Sequence, residues 1–320
     1  MKTVSLLAAA ILMGLMFVMI ASSSRQPAFA QSPTVTSANR SRAARPVTIP
    51  VTVRVKGIKP EPELQMIDLI VTEDGDPQTP LSFRVKSDSP LTLAVLIQDD
   101  VVSSISNEIK TLRNFINSLP RGSRVLVGYL RSGSLQVRQR FTTDLEKAGK
   151  ALRAPLGSAS AAPYNPYVEV IEAVRRFDSQ PSGRRAILLV SDGLDLSHGP
   201  ESSSAGQSLD LQRAITEAQR RSIAIYAFYA PTVGSGDGIL AANAQGSLLR
   251  LAEETGGRAF FQGTGAPVSF DPFIKELTIS LDRQIALTYL STHTAKGFHR
   301  IQVRSLSAGV QIDHPSGYTR

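Results

Sequence analysis

Two adjacent carboxylates, Asp99 and Asp100, stand where the apolar run LTLAVLIQ ends, with Ser103 and Ser104 just beyond. A third, Asp192, ends another apolar run, RAILLVSDG. Carboxylate and hydroxyl oxygens at the ends of buried strands are hard ligands of the kind a divalent cation takes. The same residues have a second use. Ser103 or Ser104 can cap the helix that follows, with Asn107 or Glu108 near the capping-box position. Asp99 and Asp192 would then repel each other unless a cation or a water network lay between them. On residue type alone a metal-bound and a metal-free reading both stand.

The surrounding pattern says what must position these groups. LTLAVLI carries no polar alternation, so both faces of that strand need cover. Ile105, Ile109, Leu112, Phe115, Ile116 and Leu119 then recur at helical spacing, and Pro120-Arg121-Gly122 ends the helix. SRVLVGYL and SLQVRQRF flank Arg131-Ser132-Gly133, a hairpin that adds an antiparallel edge. Helices within 145–152 and about 167–177, the strand RAILLVSDG, the helix LDLQRAITEAQRRS and the strand IAIYAFYA continue the alternation. A helix in GSLLRLAEETGG, the strand RAFFQ and a helix opening near Asp271-Pro272 complete it. The fold class is α/β, a doubly wound, mostly parallel sheet. Residues 47–90 and 285–320 are instead β-rich, and neither has enough strands to stand alone, so they are expected to form one small accessory sheet.

In the order of these elements, residues 91–284 resemble a von Willebrand factor type A (VWA) domain. VTEDG before that body, LAEETGGRAFF inside it, and the ending HRIQVR with GVQIDHPSGY are similar to an exported bacterial branch of the family. The resemblance implies a metal-ion-dependent adhesion site with the pattern D-x-S-x-S after the first strand, a Thr on a later loop and an Asp after the fourth strand. Asp192 in VSDG matches the late Asp. With Asp99 as the first ligand, Val101 takes the first Ser position and Ser103 keeps the second; with Gln98 first, Asp100 and Val102 fall there. No Thr has a clear counterpart, and Ser158 and Ser160 are the nearby hydroxyls. The implied site is therefore Asp99, Asp100, Ser103 and Asp192, degenerate, holding either nothing or a weakly bound Mg or Mn ion. The implied role is a non-catalytic module that binds another protein, with a metal-independent structural interaction protein as the alternative.

Composition limits the rest. The 320 residues contain no cysteine, which excludes thiolate metal sites, cysteine nucleophiles and disulfides. Residues 1–30 carry Lys2, an apolar run from Val4 to Ala21 and the ending Ala28-Phe29-Ala30, the layout of a secretory signal cleaved after Ala30. The expected location is periplasmic or secreted, with a membrane association only if that segment is retained as an anchor. Its removal takes Lys2 and Arg25 and lowers the net charge from +8 to +6. Export makes nucleic acid an unsuitable target, and the doublets at 175–176, 184–185 and 220–221 read as solvated charge. Residues 31–46 lack an apolar period and read as a linker. His198, His293, His299 and His314 show no metal-ligand spacing, no G-x-S-x-G elbow occurs, and GSGDG at 234–238 reads as a surface loop. A hydrolase using Asp99 and Asp100 lacks a base to work with, so no enzyme is expected.

Overall fold

The computed structural model describes residues 44–55, 68–232 and 238–320, all within one compact unit. The expected signal segment, most of the linker and residues 234–237 lie outside the described residues. In chain order the strands are β1 (Arg45–Val55), β2 (Leu69–Glu73), β3 (Asp76–Arg84) and β4 (Thr92–Gln98), followed by α1 (Ile109–Ser118). Next come β5 (Arg124–Arg131), β6 (Ser134–Thr142), α2 (Leu145–Lys150), α3 (Pro166–Arg175), β7 (Arg185–Ser191), α4 (Leu209–Arg220) and β8 (Ala224–Tyr229). The chain ends with α5 (Gly238–Glu254), β9 (Ala259–Phe260), α6 (Asp271–Asp282), β10 (Gln284–Ser291), β11 (Phe298–Ser305), β12 (Val310–Asp313) and β13 (Gly317–Thr319).

One sheet has six strands in the order β6-β5-β4-β7-β8-β9. β4 is parallel to both β5 and β7, β7 to β8 and β8 to β9, while β6 alone runs antiparallel. Reversal of the strand order at β4 is what doubly wound means, and it follows from the apolar run: all seven residues of β4 are buried. Leu93, Val95 and Ile97 face α1 and α6, while Ala94 and Leu96 face α3, α4 and α5. The hairpin turn falls on Ser132 and Gly133, both at positive φ (52° and 77°), which matches the strand twist.

The second sheet has seven strands in the order β12-β1-β10-β3-β2-β11-β13, so the two ends of the described chain do build one accessory sheet. β1 lies between β10 and β12, pairing Thr48 with Thr288 and Val53 with Ile312. This arrangement is consistent with the VWA-like body and accessory sheet that the sequence implies.

Two expectations need correction. The helix expected in GSLLRLAEETGG begins earlier, at Gly238, so the last glycine of GSGDG opens a helix. Arg184, read as a solvated charge, is buried where the two sheets meet: Nε donates to the Gln284 carbonyl (2.8 Å), Nη1 to that of Ser89 (3.3 Å) and Nη2 to that of Leu281. Burial lowers its pKa from the ordinary arginine value. Sequence reasoning missed it because its acceptors are backbone groups 95 to 100 residues away, in both directions along the chain. Arg184→Met keeps the stem but strands three carbonyls, while relieving the cost of a buried cation. The net expectation is a loss of about 2 kcal/mol, read by urea unfolding; unchanged stability would mean that water reaches the guanidinium.

Candidate functional site

β4 ends at the carboxyl edge of the six-stranded sheet, where period-two alternation sends Gln98 and Asp100 one way and Asp99 the other. Asp99 has no exposed surface. Its Oδ1 and Oδ2 accept from Arg153 Nη1 (2.6 Å) and Nη2 (2.7 Å), and Oδ1 also accepts from the Leu156 amide (3.1 Å). The guanidinium lies 4.0 Å from the centroid of the Tyr129 ring. The Tyr129 hydroxyl donates to the Arg153 carbonyl (2.6 Å) and accepts from the Arg153 amide (2.7 Å). Asp99 is thus held by a fork-shaped cation.

Gln98 is the residue that faces Asp192. Its Oε1 accepts from the Ser191 hydroxyl (2.5 Å) and the Asp192 amide (3.3 Å), and its Nε2 donates to Asp100 Oδ1 (2.9 Å). Asp192 in turn accepts from the Leu194 amide (3.0 Å). The Asp-Gly pair there has a steric reason: Gly193 has φ +72°, and a Cβ on it would fall 2.5 Å from Leu248 Cγ. Burial raises the Asp192 pKa to about 7, with the Asp100 charge adding to the rise, while the Gln98 and Thr232 side chains oppose it. The Asp100 pKa is likewise raised, chiefly by burial.

The four residues singled out by sequence therefore divide. Asp100 and Asp192 come together across Gln98, whereas Asp99 belongs to Arg153. Ser103 is exposed at the start of a 3-10 turn over Ser103–Glu108 whose N-cap is Val102, with no side-chain cap hydrogen bond. Glu108, placed near the capping-box position, instead accepts from the Phe270 amide (2.7 Å) and fastens the start of α6. The charged neighbour of Asp192 is Asp100 and not Asp99. Ser158 and Ser160 hydrogen-bond each other (2.9 Å), and the hydroxyl that reaches Asp192 is that of Thr232, after β8. Arg153, Tyr129 and Thr232 were missed and carry no sequence signal, whereas Gln98 stood in the alternative register.

Ser197, His198 and Asp195 invite a nucleophile reading that their hydrogen bonds do not support. The Ser197 hydroxyl donates to Asp195 Oδ1 (2.5 Å), with His198 Nδ1 3.0 Å from the Ser197 Oγ. The serine proton is already engaged by the carboxylate, and the acid orients the serine instead of the histidine. Asp195 Oδ2 accepts from Ser208, which caps α4.

The sequence matches no protein-family model and no curated protein. Among solved structures, the chain is similar to an aerotolerance-related membrane protein from Bacteroides fragilis carrying multiple mutations to serines. Identity is 11%, the TM-score 0.42, and the match covers 61% of this chain and 99% of that one. For the conserved hypothetical protein BatB from Bacteroides thetaiotaomicron the values are 13%, 0.42, 60% and 97%. For the human COPII-coat protein Sec24c they are 10%, 0.38, 71% and 44%. Likeness at this level says nothing of ligand or activity.

Proposed function

We propose that this chain is an exported, non-catalytic VWA-like module that binds another protein through the carboxyl edge of its six-stranded sheet, without a cation there. One observation carries the reading: the Gln98 amide bridges Asp100, Ser191 and Asp192, supplying the donor and acceptor that a cation and its waters would otherwise supply. A neutral amide in place of a carboxylate removes the charge a hard cation needs most. The surrounding rim suits a protein partner. Leu156, Tyr164, Leu209 and Ile239 are exposed on the loops and helix starts near this edge, and a partner seated there would bury their apolar surface. Export rests on the apolar run and the Ala28-Phe29-Ala30 ending.

A photo-crosslinking side chain at Tyr164 or Leu209, introduced into the full chain in its native host, tests the edge. Adducts of discrete mass from these positions, undiminished by EDTA and absent from Leu306 at the accessory sheet, are expected. Equal adducts from Leu306, or loss of the rim adducts in EDTA, would overturn the reading. A gain-of-function substitution tests the cation-free part. Gln98→Asp puts a third carboxylate beside Asp100 and Asp192, so the metal-free protein should lose about 2 kcal/mol and recover it in millimolar magnesium. The wild type should show no such magnesium dependence in its melting temperature.

A further inference from the structure

The two central histidines of the accessory sheet form a site that their positions in the sequence conceal. β2 pairs with β11 so that Glu73 lies opposite Ile301, and the hairpin turn at Asp74 follows directly. β10 delivers Ser291 and, just past its end, His293 to the same place. Glu73 has no exposed surface, and its Oε1 accepts from Ser291 and Tyr318 hydroxyls, each at 3.0 Å. Glu73 Oε1 also lies 3.5 Å from His299 Nδ1 and 3.6 Å from His293 Nδ1. Asp74 Oδ2 is 2.8 Å from the same His299 nitrogen.

Each imidazole is oriented by its far nitrogen. His299 Nε2 is 2.9 Å from the Ala295 carbonyl, and His293 Nε2 is 3.2 Å from Asp76 Oδ2. When those nitrogens carry the only ring protons, both Nδ1 lone pairs face carboxylate oxygens, a conflict that His299 resolves either with a second proton donated to Asp74 or with a cation. Outer oxygen partners that fix the tautomer in this way are what metal-ligating histidines have. Within the cluster, Glu73 Oε2 and His293 Nδ1 are buried atoms that complete no hydrogen bond, and the buried Tyr289 hydroxyl faces Glu73 without completing one; Glu73 and Tyr289 are wholly buried residues. Buried polar atoms around a charged pocket are positions where a bound ion or water completes the hydrogen bonding.

We propose that Glu73, Asp74 and His299, whose ligand atoms lie within 4.8 Å of one another, bind a divalent transition-metal ion, zinc by preference, with His293, 3.6 Å from Glu73, turning in as the fourth ligand. Two imidazoles and two carboxylates are a nitrogen and oxygen set of borderline softness, suited to zinc, and unlike the all-oxygen shells of magnesium and calcium. Metal–ligand bonds of about 2.0–2.1 Å in a tetrahedron put the ligand atoms about 3.3–3.4 Å apart. The two separations from Glu73 Oε1 are within a few tenths of an ångström of that. Asp74, partly exposed at the turn, has the freedom to draw back from His299. The ion would tie β2, β10 and β11 together, and the proposal is independent of the sheet edge that holds Asp192.

Calorimetric titration of the metal-free protein with zinc chloride, paralleled by the visible absorption of added cobalt(II), tests this. One ion per chain is expected, with affinity falling at least tenfold in both His293→Gln and His299→Gln and unchanged in Asp192→Asn. Should His299→Gln fail to fold, His293→Gln and Asp74→Asn, at less buried positions, still decide. No zinc heat and no cobalt absorption in the wild type would overturn the site, as would binding that survives the histidine substitutions.

Discussion

Arg153→Ala is expected to lose about 3–5 kcal/mol of folding stability, although Arg153 lies outside every helix and strand and is partly exposed. The reason is what it leaves behind. Asp99 is fully buried, and both its oxygens are held by this guanidinium, with the Leu156 amide as the remaining donor. Removing the cation leaves a carboxylate in an apolar setting, and the Tyr129 face loses the group stacked on it. The double variant Asp99→Asn, Arg153→Ala should recover much of the loss, because the stranded charge is gone. Urea unfolding of the wild type, both single variants and the double variant gives the coupling energy as a closed cycle. Additive losses would mean that the pair does not interact as described.

Folding stability should also fall as pH rises from about 4 to about 8. Burial raises the Asp192 pKa from 3.8 to about 7. Glu169, wholly buried under the Ser132-Gly133 turn, is raised from 4.5 to about 8, also chiefly by burial; the amides of Arg131, Gly133 and Ser134 face it without completing hydrogen-bond geometry. The sign follows directly. Below about pH 4 each carboxyl is protonated in both states and costs nothing. Between its unfolded and folded pKa values, the folded chain holds a proton that the unfolded chain has released, so each step up in pH favours unfolding. Linkage makes each group a loss on the order of 4–5 kcal/mol at most, complete above its folded pKa. Asp178, lowered chiefly by its hydrogen bond to Arg221, works oppositely but is exposed and contributes only in acid. Asp192→Asn and Glu169→Gln together should flatten the melting temperature between pH 5 and 8.5. A wild-type melting temperature that does not fall over that range would show that water reaches both carboxyls.

The fold was more legible than the site because its signals are local or repeated. The unbroken apolar run of β4, the helical spacing from Ile109 to Ile116 and the Ser132-Gly133 turn each need only a few neighbouring residues to be read. The pairing of the chain ends followed from the number of strands each end lacked. At the edge, however, one residue of register separates Gln98 from Asp99, and a one-residue slip sends a side chain to the opposite face. Choosing between them required Arg153, more than fifty residues on and in no motif. The histidines were hidden for the same reason. His293 and His299 meet Glu73 and Asp74 only through strand pairing across more than two hundred residues, which no spacing rule along the chain can detect.

That pairing sets a timetable for synthesis. β1, first of the described strands to leave the ribosome, finds its partners only in β10 and β12, with Thr48 and Thr288 lying 240 residues apart. At about 5–20 residues per second, β1 waits roughly 10–50 s for the strand that completes it. Through that interval an eleven-residue β-prone segment has both hydrogen-bonding edges unpaired. The accessory sheet can close only after synthesis has passed β12, so any passage across a membrane that requires an unfolded chain has that whole interval in which to begin.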